Sequence, residues 1–321
     1  MEGATRYHPS PDQLALANTI EESVAALLPL ARLHCSHEES DESWSSLEEI
    51  GIFAITASEE EGGSGLGAVE ESLIAMALGR HLVAPAVTAT LGAAHATLDR
   101  GAPELRGRRI AAGFRRGDRI IVVQQACAEY VLVRDSSDSG LHAMSAEAPR
   151  PIDSRLWLAA LTDHAALGEP LARFDASALL RLRLIDAAML AGIAQTALDM
   201  SVAYAGMREQ FGRPIGSFQA IKHHCANMAI AARCARDQTS FAAVAVDDGR
   251  DDAALQVECA FWVAGSAALE NAGKNIQIHG GMGFSDEADP HLVLKRARLL
   301  IAVAGGLEAA NRRVADAKAA W

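Results

Sequence analysis

The stretch Arg208-Glu209-Gln210-Phe211-Gly212-Arg213-Pro214-Ile215-Gly216-Ser217-Phe218-Gln219 decides how the rest of the chain reads. Residues 178 to 207 before it are rich in Ala, Leu and Met and contain no Pro, which favours helix. Gly212, Pro214 and Gly216 then arrive within five residues, so the helix must stop and the backbone must turn. Helix resumes near Gln219. A loop between rigid helices that gathers a guanidinium, an amide, an aromatic ring and flexible glycines suits a planar, anionic ligand. The Arg fork pairs with a phosphate and the Phe packs on a flat ring. An ordinary helix connection in which Arg208 caps a helix C-terminus reads the same residues equally well.

Working outward, the chain has 321 residues, half of them hydrophobic, which is enough for two or three domains around a sizeable core. Its net charge of -12 and pI near 5.4 argue against nucleic acid or an anionic membrane as partner, since both call for basic patches. Any anionic ligand needs a local site. The most apolar late segment, Ala253 to Leu269, is interrupted by Gln256 and Glu258, so no membrane span is expected. Five cysteines without a CxxC pair, and an N-terminus lacking signal-peptide character, point to reduced thiols in the cytoplasm.

Ser10-Pro11-Asp12 opens a helical pattern from 12 to 33, and further helices are expected over Ser43 to Ile50, Val69 to Arg80 and Pro85 to about Leu98. From Arg109 the texture changes to short β-branched runs, Arg119 to Val123 and Tyr130 to Val133, with Gly113 and Gly117 as turn material. Helices return over 178 to 207, 219 to 247 and 252 to 274, with a shorter pair after Gly283. The expected domains are thus 1 to 108 (helical), 109 to 176 (small β) and 177 to 321 (helical bundle).

Several chemistries can be tested on the residues. Gly63, Gly65 and Ala68 match G-x-G-x-x-A before a helix, but Glu59, Glu60 and Glu61 directly before them would repel a pyrophosphate, so a structural turn is expected. His34, Cys35 and His37, and again His223, His224 and Cys225, are adjacent residues whose directions on a helix suit tetrahedral ligation poorly; no metal is expected. More informative is Gln277-Ile278-His279-Gly280-Gly281-Met282-Gly283-Phe284, where three glycines in four positions end a long helix. Bare backbone there lets a ligand approach and offers N–H groups to phosphate oxygens. A helix C-cap with a turn needs only one glycine.

Arg208-x-Gln-Phe-Gly-x-Pro-Ile-x-x-Phe-Gln219, followed about 60 residues later by Gln277-x-x-Gly-Gly-x-Gly-Phe284, resembles the acyl-CoA dehydrogenase family. Glu60 to Gly67, Glu70-Glu71 and Leu78-Gly79-Arg80 resemble its N-terminal helical domain. The similarity covers residues 12 to 100 and 178 to 315 and is thin between. It implies a mainly α fold with a small central β domain: an N-terminal helical domain, a reduced β domain and a C-terminal four-helix bundle. It also implies FAD bound where two subunits meet. Carried over, Arg208, Gln210, Phe211, Ile215, Phe218, Gln219, Gln277, Gly280 and Gly281 would line the pyrophosphate and adenosine side of an FAD whose flavin belongs to the neighbouring subunit.

Two departures redirect the expectation. α,β-Dehydrogenation of a thioester needs a carboxylate base. The family's two base positions fall on Ala304, in Leu300-Ile301-Ala302-Val303-Ala304-Gly305-Gly306, and on Leu182. Asp186 and Glu308, each about a helical turn away, are candidate replacements. The middle domain also lacks the family's Thr/Ser-rich strands, with Trp157 standing alone. A retained half-site beside a missing base implies the accessory subunit of a heteromeric acyl-CoA dehydrogenase, two catalytic and two accessory chains forming α2β2. Its acyl-CoA substrate, a steroid side-chain thioester being the suggested class, would sit in the partner's site. A self-sufficient homomeric enzyme and an FAD-free scaffold are the rival readings.

Overall fold

The computed structural model describes residues 7–36, 38–98, 105, 107–123, 125–134, 139–144, 150–152, 159, 161–164 and 167–317. Trp157 and His37 lie outside them.

Four helices begin the chain: α1 (Pro11–Leu27), α2 (Asp41–Glu49), α3 (Ala68–Arg80) and α4 (Pro85–Ala93). Ser10 starts α1 as a capping box, its hydroxyl accepting from Gln13 N while the Gln13 amide oxygen accepts from Ser10 N. The pattern expected to run to 33 breaks at Leu28-Pro29, because Pro29 has no N–H to continue it; a 3-10 turn follows. α3 and α4 are buried on almost every side, which is why their sequences are apolar all round rather than striped.

A sheet of eight strands follows: β1 (Thr97–Leu98), β2 (Ile110–Arg116), β3 (Arg119–Val123), β4 (Tyr130–Arg134), β5 (Gly140–Ala143), β6 (Arg150–Ile152), β7 (Leu161–His164) and β8 (Ala172–Arg173). Their order is β1-β8-β5-β4-β2-β3-β7-β6, antiparallel except for the β2–β4 pair. Gly113, expected in a turn, lies in the middle of β2. A Cβ there would come within 2.9 Å of Val131 Cγ2 on β4, so its lack of a side chain serves close strand packing. Gly117, with φ +63°, does make the β2–β3 turn.

Five helices complete the chain: α5 (Ala176–Met207), α6 (Gln219–Asp247), α7 (Ala253–His279), α8 (Pro290–Val303) and α9 (Leu307–Asp316). Asp175 caps α5 by accepting from Ala178 N at 2.8 Å. One aliphatic, alanine-rich core joins α1 to α4 with α5 to α9. A second, containing Ala89, Ile110, Leu132, Leu182, Leu299 and Val303, seats the sheet on α4, α5 and α8. The α3–α5 crossing brings backbone against backbone: a Cβ on Gly192 would fall 2.1 Å from the Met76 carbonyl, and one on Gly79 2.2 Å from that of Met189. Only glycine at both positions permits that approach.

Candidate functional site: a shared end of two long helices

α5 stops at Arg208, whose backbone turns extended (φ −72°, ψ 122°). A two-residue hairpin follows, with β9 (Glu209–Gln210) pairing with β10 (Arg213–Pro214). Its central residues, Phe211 and Gly212, have φ of 54° and 75°, the left-handed geometry that such tight hairpins require. Gly accepts this freely, whereas Phe is strained by it. The hairpin closes with Ile215 N donating to Arg208 O at 2.7 Å. Phe211 is held out into solvent, 92 % exposed, with the Phe218 ring edge-on to it at 6.1 Å and the Arg213 guanidinium 4.2 Å from the centre of the Phe218 ring. Ile215 packs on the main core, and Gln219 opens α6 at the surface. Gln210 is exposed, its amide donating to Glu209 O.

The second stretch ends α7. Gly280, at φ 61° and ψ −135°, breaks the helix in a conformation open to glycine alone, and a 3-10 turn runs from it to Phe284. Gly283 folds back so closely that a Cβ would meet Ile276 O at 2.5 Å. Gly281 is exposed, as are Gln277, Met282 and Phe284.

These stretches meet. Tyr204, one turn before Arg208, stacks on His279 at 4.1 Å between ring centres and 25° between planes. Deeper in, Ser201 Oγ donates to Asn275 Oδ1 at 2.9 Å, and His279 Nδ1 lies 2.8 Å from Asn275 O. Burial pushes the His279 imidazole down from its ordinary value, with the Asn275 carbonyl and the Asp289 charge opposing. The neutral ring is therefore the favoured form in the stack. Two helix C-termini converge here, a combination that repels anions. Arg208 and Arg213 oppose that field, and among the described residues no ion pair occupies the Arg208 guanidinium. An exposed ring, an unpaired Arg and a bare glycine turn on one surface can hold a flat group joined to an oxyanion.

The other end of α5 carries the positions where a base would be expected. Leu182 is 1 % exposed, inside the apolar contact between α5 and the sheet. Ala304, just past α8, is also buried, its carbonyl accepting from Arg183 Nη1 at 2.6 Å. The two candidate replacements are placed differently. Asp186 is buried and gripped by Arg134, and Glu308 points outward, its side chain 86 % exposed beside Arg312. Ala304 lines a cavity of about 600 Å³ whose one lining carboxylate, among the described residues, is Glu258 on α7. Sequence reasoning passes over Glu258, although its presence in an apolar helix is the available signal. Its oxygens are taken up by Arg313, at 2.9 and 3.0 Å, and approached by Arg183 at 3.5 Å.

The early glycine cluster carries no nucleotide site. The α3 N-terminus that would face a phosphate is filled by Asp247 of α6, which accepts from Ala68 N at 2.6 Å and Val69 N at 3.0 Å. Among the described residues no group of three His, Cys, Asp or Glu could hold a metal. His34 instead pairs with Asp289 at 2.7 Å.

A helical layer, a central sheet and a long-helix bundle that joins two glycine-bearing turns define the class. The family model for the acyl-CoA dehydrogenase N-terminal domain matches residues 10–112, and that for the C-terminal domain matches 172–318. The chain belongs to the acyl-CoA dehydrogenase family. It is 32% identical to acyl-CoA dehydrogenase IpdE2 of Mycobacterium tuberculosis over 265 residues, 80% of each chain. It is 45% identical to acyl-CoA dehydrogenase FadE34 of the same organism over 133 residues, which is 40% of this chain but only 18% of FadE34. Among solved structures, the Tcur3481–Tcur3483 steroid ACAD, in a variant form, superposes with a TM-score of 0.76 at 22% identity over 95% of this chain and 97% of that one. The ChsE4–ChsE5 complex of M. tuberculosis gives 0.75 at 21% identity over 98% and 100%. Residues 113 to 171, most of the sheet, fall outside both family models. No helix among the described residues is long and apolar enough to cross a membrane.

Proposed function

We propose that this chain is the accessory subunit of a heteromeric, FAD-dependent acyl-CoA dehydrogenase, and that it offers the joined ends of α5 and α7 to the pyrophosphate and adenosine side of an FAD serving the partner's active site. The supporting observation is the Tyr204–His279 stack, which unites the two glycine-bearing stretches while leaving Arg208 unpaired. The residues fit such a group. Arg208 supplies a fork for phosphate, Gly280 and Gly281 a turn without side chains, and Phe211 and Phe218 ring faces and edges for a flat heterocycle. When bound, FAD supplies the acceptor for the hydride that leaves the β carbon of the acyl group.

This chain's own residues bind and orient; they do not take the α proton. Arg208, just past the end of α5, stands 25 positions after Arg183, roughly 37 Å at the helical rise, longer than an extended dinucleotide. One FAD therefore cannot touch both the Arg208 loop and the surroundings of Ala304. A cofactor at the Arg208 end has its reactive ring elsewhere, and the ring's place in this chain has lost its base. Exposed Met207, Phe211, Met282 and Phe284 surround the half-site and provide apolar surface for a partner subunit. The catalytic chain is the proposed partner, in an α2β2 assembly in the cytoplasm. The proposed substrate is a bulky, steroid-type acyl-CoA, in keeping with the similarity to the Tcur3481–Tcur3483 enzyme, which is named a steroid ACAD.

The decisive experiment purifies the chain alone and together with the product of a neighbouring dehydrogenase gene. Flavin and thioester dehydrogenation are expected only in the complex. Full flavin occupancy and turnover by this chain alone would overturn the accessory role.

A further inference from the structure

We propose that the cavity beside Ala304 binds a free carboxylic acid with an apolar body, held as its anion and not dehydrogenated. The cavity, about 600 Å³, is of the size that takes a small molecule. Phe114, Leu179, Leu180 and Leu255 form an apolar wall, and Ala302, Ala304 and Ala309 leave room against it. Arg134, Arg183 and Arg313 supply the charge, with Arg115 also in the lining. Leaving Arg115 aside, three guanidiniums stand against two carboxylates among the described residues, Glu258 in the lining and Asp186 behind Arg134. Among these described residues the balance is positive, in a chain whose net charge is −12.

Arg183 is the centre of this arrangement. Its Nη1 donates to the Ala304 carbonyl, and its Nε faces Glu258 at 3.5 Å, too far for a good hydrogen bond. A guanidinium has five N–H donors, so capacity remains for a planar oxyanion. Burial pushes Arg183 down to about 10, and the Arg134 and Arg313 charges push the same way against Asp186 and Glu258. An entering anion offsets both costs. The guanidinium fork accepts a carboxylate in one plane while the chain behind it meets Leu179 and Leu255; a carboxylate, the smallest head that fits the fork, is the proposed group. This site lies at the opposite end of α5 from Arg208, and its test reads no flavin, so it stands or falls apart from the FAD half-site.

The test is calorimetric titration of the purified chain with decanoate, 1-decanol and decyl phosphate. Decanoate is expected to bind saturably, at least tenfold tighter than decanol. Ala309→Trp, which fills the cavity while keeping every guanidinium of its lining, is expected to abolish binding. Arg313→Gln should weaken decanoate at least tenfold and Glu258→Gln should tighten it, a pair of opposite shifts that loss of structure alone would not produce. Should Arg313→Gln fail to fold, Ala309→Trp and Glu258→Gln carry the test. Absence of saturable decanoate binding, equal binding of decanol, or unchanged binding in Ala309→Trp would overturn the site. Tighter binding of decyl phosphate would overturn the carboxylate assignment.

Discussion

Arg134 grips Asp186 through two parallel hydrogen bonds, Nη1 to Oδ1 at 2.7 Å and Nη2 to Oδ2 at 2.6 Å, with the carboxylate 2 % exposed. Such a pair fixes β4 of the sheet to α5 and leaves Asp186 no freedom to reach a substrate proton. Asp186→Asn should destabilise the chain by about 3–5 kcal/mol in urea, because Arg134 is then buried without its counter-charge. Glu308→Gln, on the surface, should change stability by less than about 0.5 kcal/mol. If either substitution removes turnover from a complex whose fold is intact, the relocated-base reading is restored.

Two substitutions in the Arg208 loop are expected to loosen flavin, one of them while stabilising the free chain. Arg208→Ala should lower flavin retention in the complex by about 10- to 150-fold, the equivalent of a charged hydrogen bond of about 1.5–3 kcal/mol. Phe211→Gly removes a side chain from a backbone held at φ 54° and should stabilise the free chain by about 1 kcal/mol while loosening flavin. Flavin absorbance after gel filtration and thermal melts of the free chain read both. Unchanged flavin content would remove these residues from the site.

Asp247 ties the first helical layer to the bundle by capping α3 from α6, with Arg181 at 3.8 Å behind it. Asp247→Ala should cost about 2 kcal/mol, at the upper end for a lost N-cap, since two N–H groups lose their acceptor together. Chemical denaturation with an unchanged m-value is the expected signature.

Acid should unfold the chain partly through Glu39. Burial works to raise its pKa, but the Arg32 hydrogen bond and charge, the Ala84 N–H and the Arg296 charge together hold it below the usual 4.5. A carboxylate lowered in the folded state contributes stability that is fully present above its unfolded pKa and is lost as pH falls through the folded one. Wild-type stability should therefore decline progressively below about pH 4.5, and Glu39→Gln should flatten that decline after an initial loss of about 3 kcal/mol at neutral pH. An unchanged acid limb in Glu39→Gln would show that other carboxylates carry it.

The long helices are legible because their apolar periodicity and their breakers are local properties: Gly212 and Pro214 end one, and Asp247 to Asp251 separates two others. The two glycine-bearing stretches are paired by their resemblance to the motifs of the acyl-CoA dehydrogenase family. What escapes is set by distant contacts. Gly113 looks like a turn residue until Val131 is seen pressing against it from a neighbouring strand. Asp186 looks available on a helical wheel, and only the fold delivers Arg134 to it across 52 positions of sequence. Glu258 reads as an interruption in an apolar helix, yet nothing local reveals the cavity that it faces.

The unbroken length of α5 acts as a gauge rod. One extra residue anywhere between Arg183 and Tyr204 would swing one end about 100° relative to the other and advance it by about 1.5 Å. The Tyr204–His279 stack and the Arg183–Ala304 contact could not then both survive. Under the proposed accessory role, Ala304 and Leu182 mark an end whose chemistry ordinary substitution has erased, whereas insertions and deletions within the rod are barred so long as a second subunit relies on the other end.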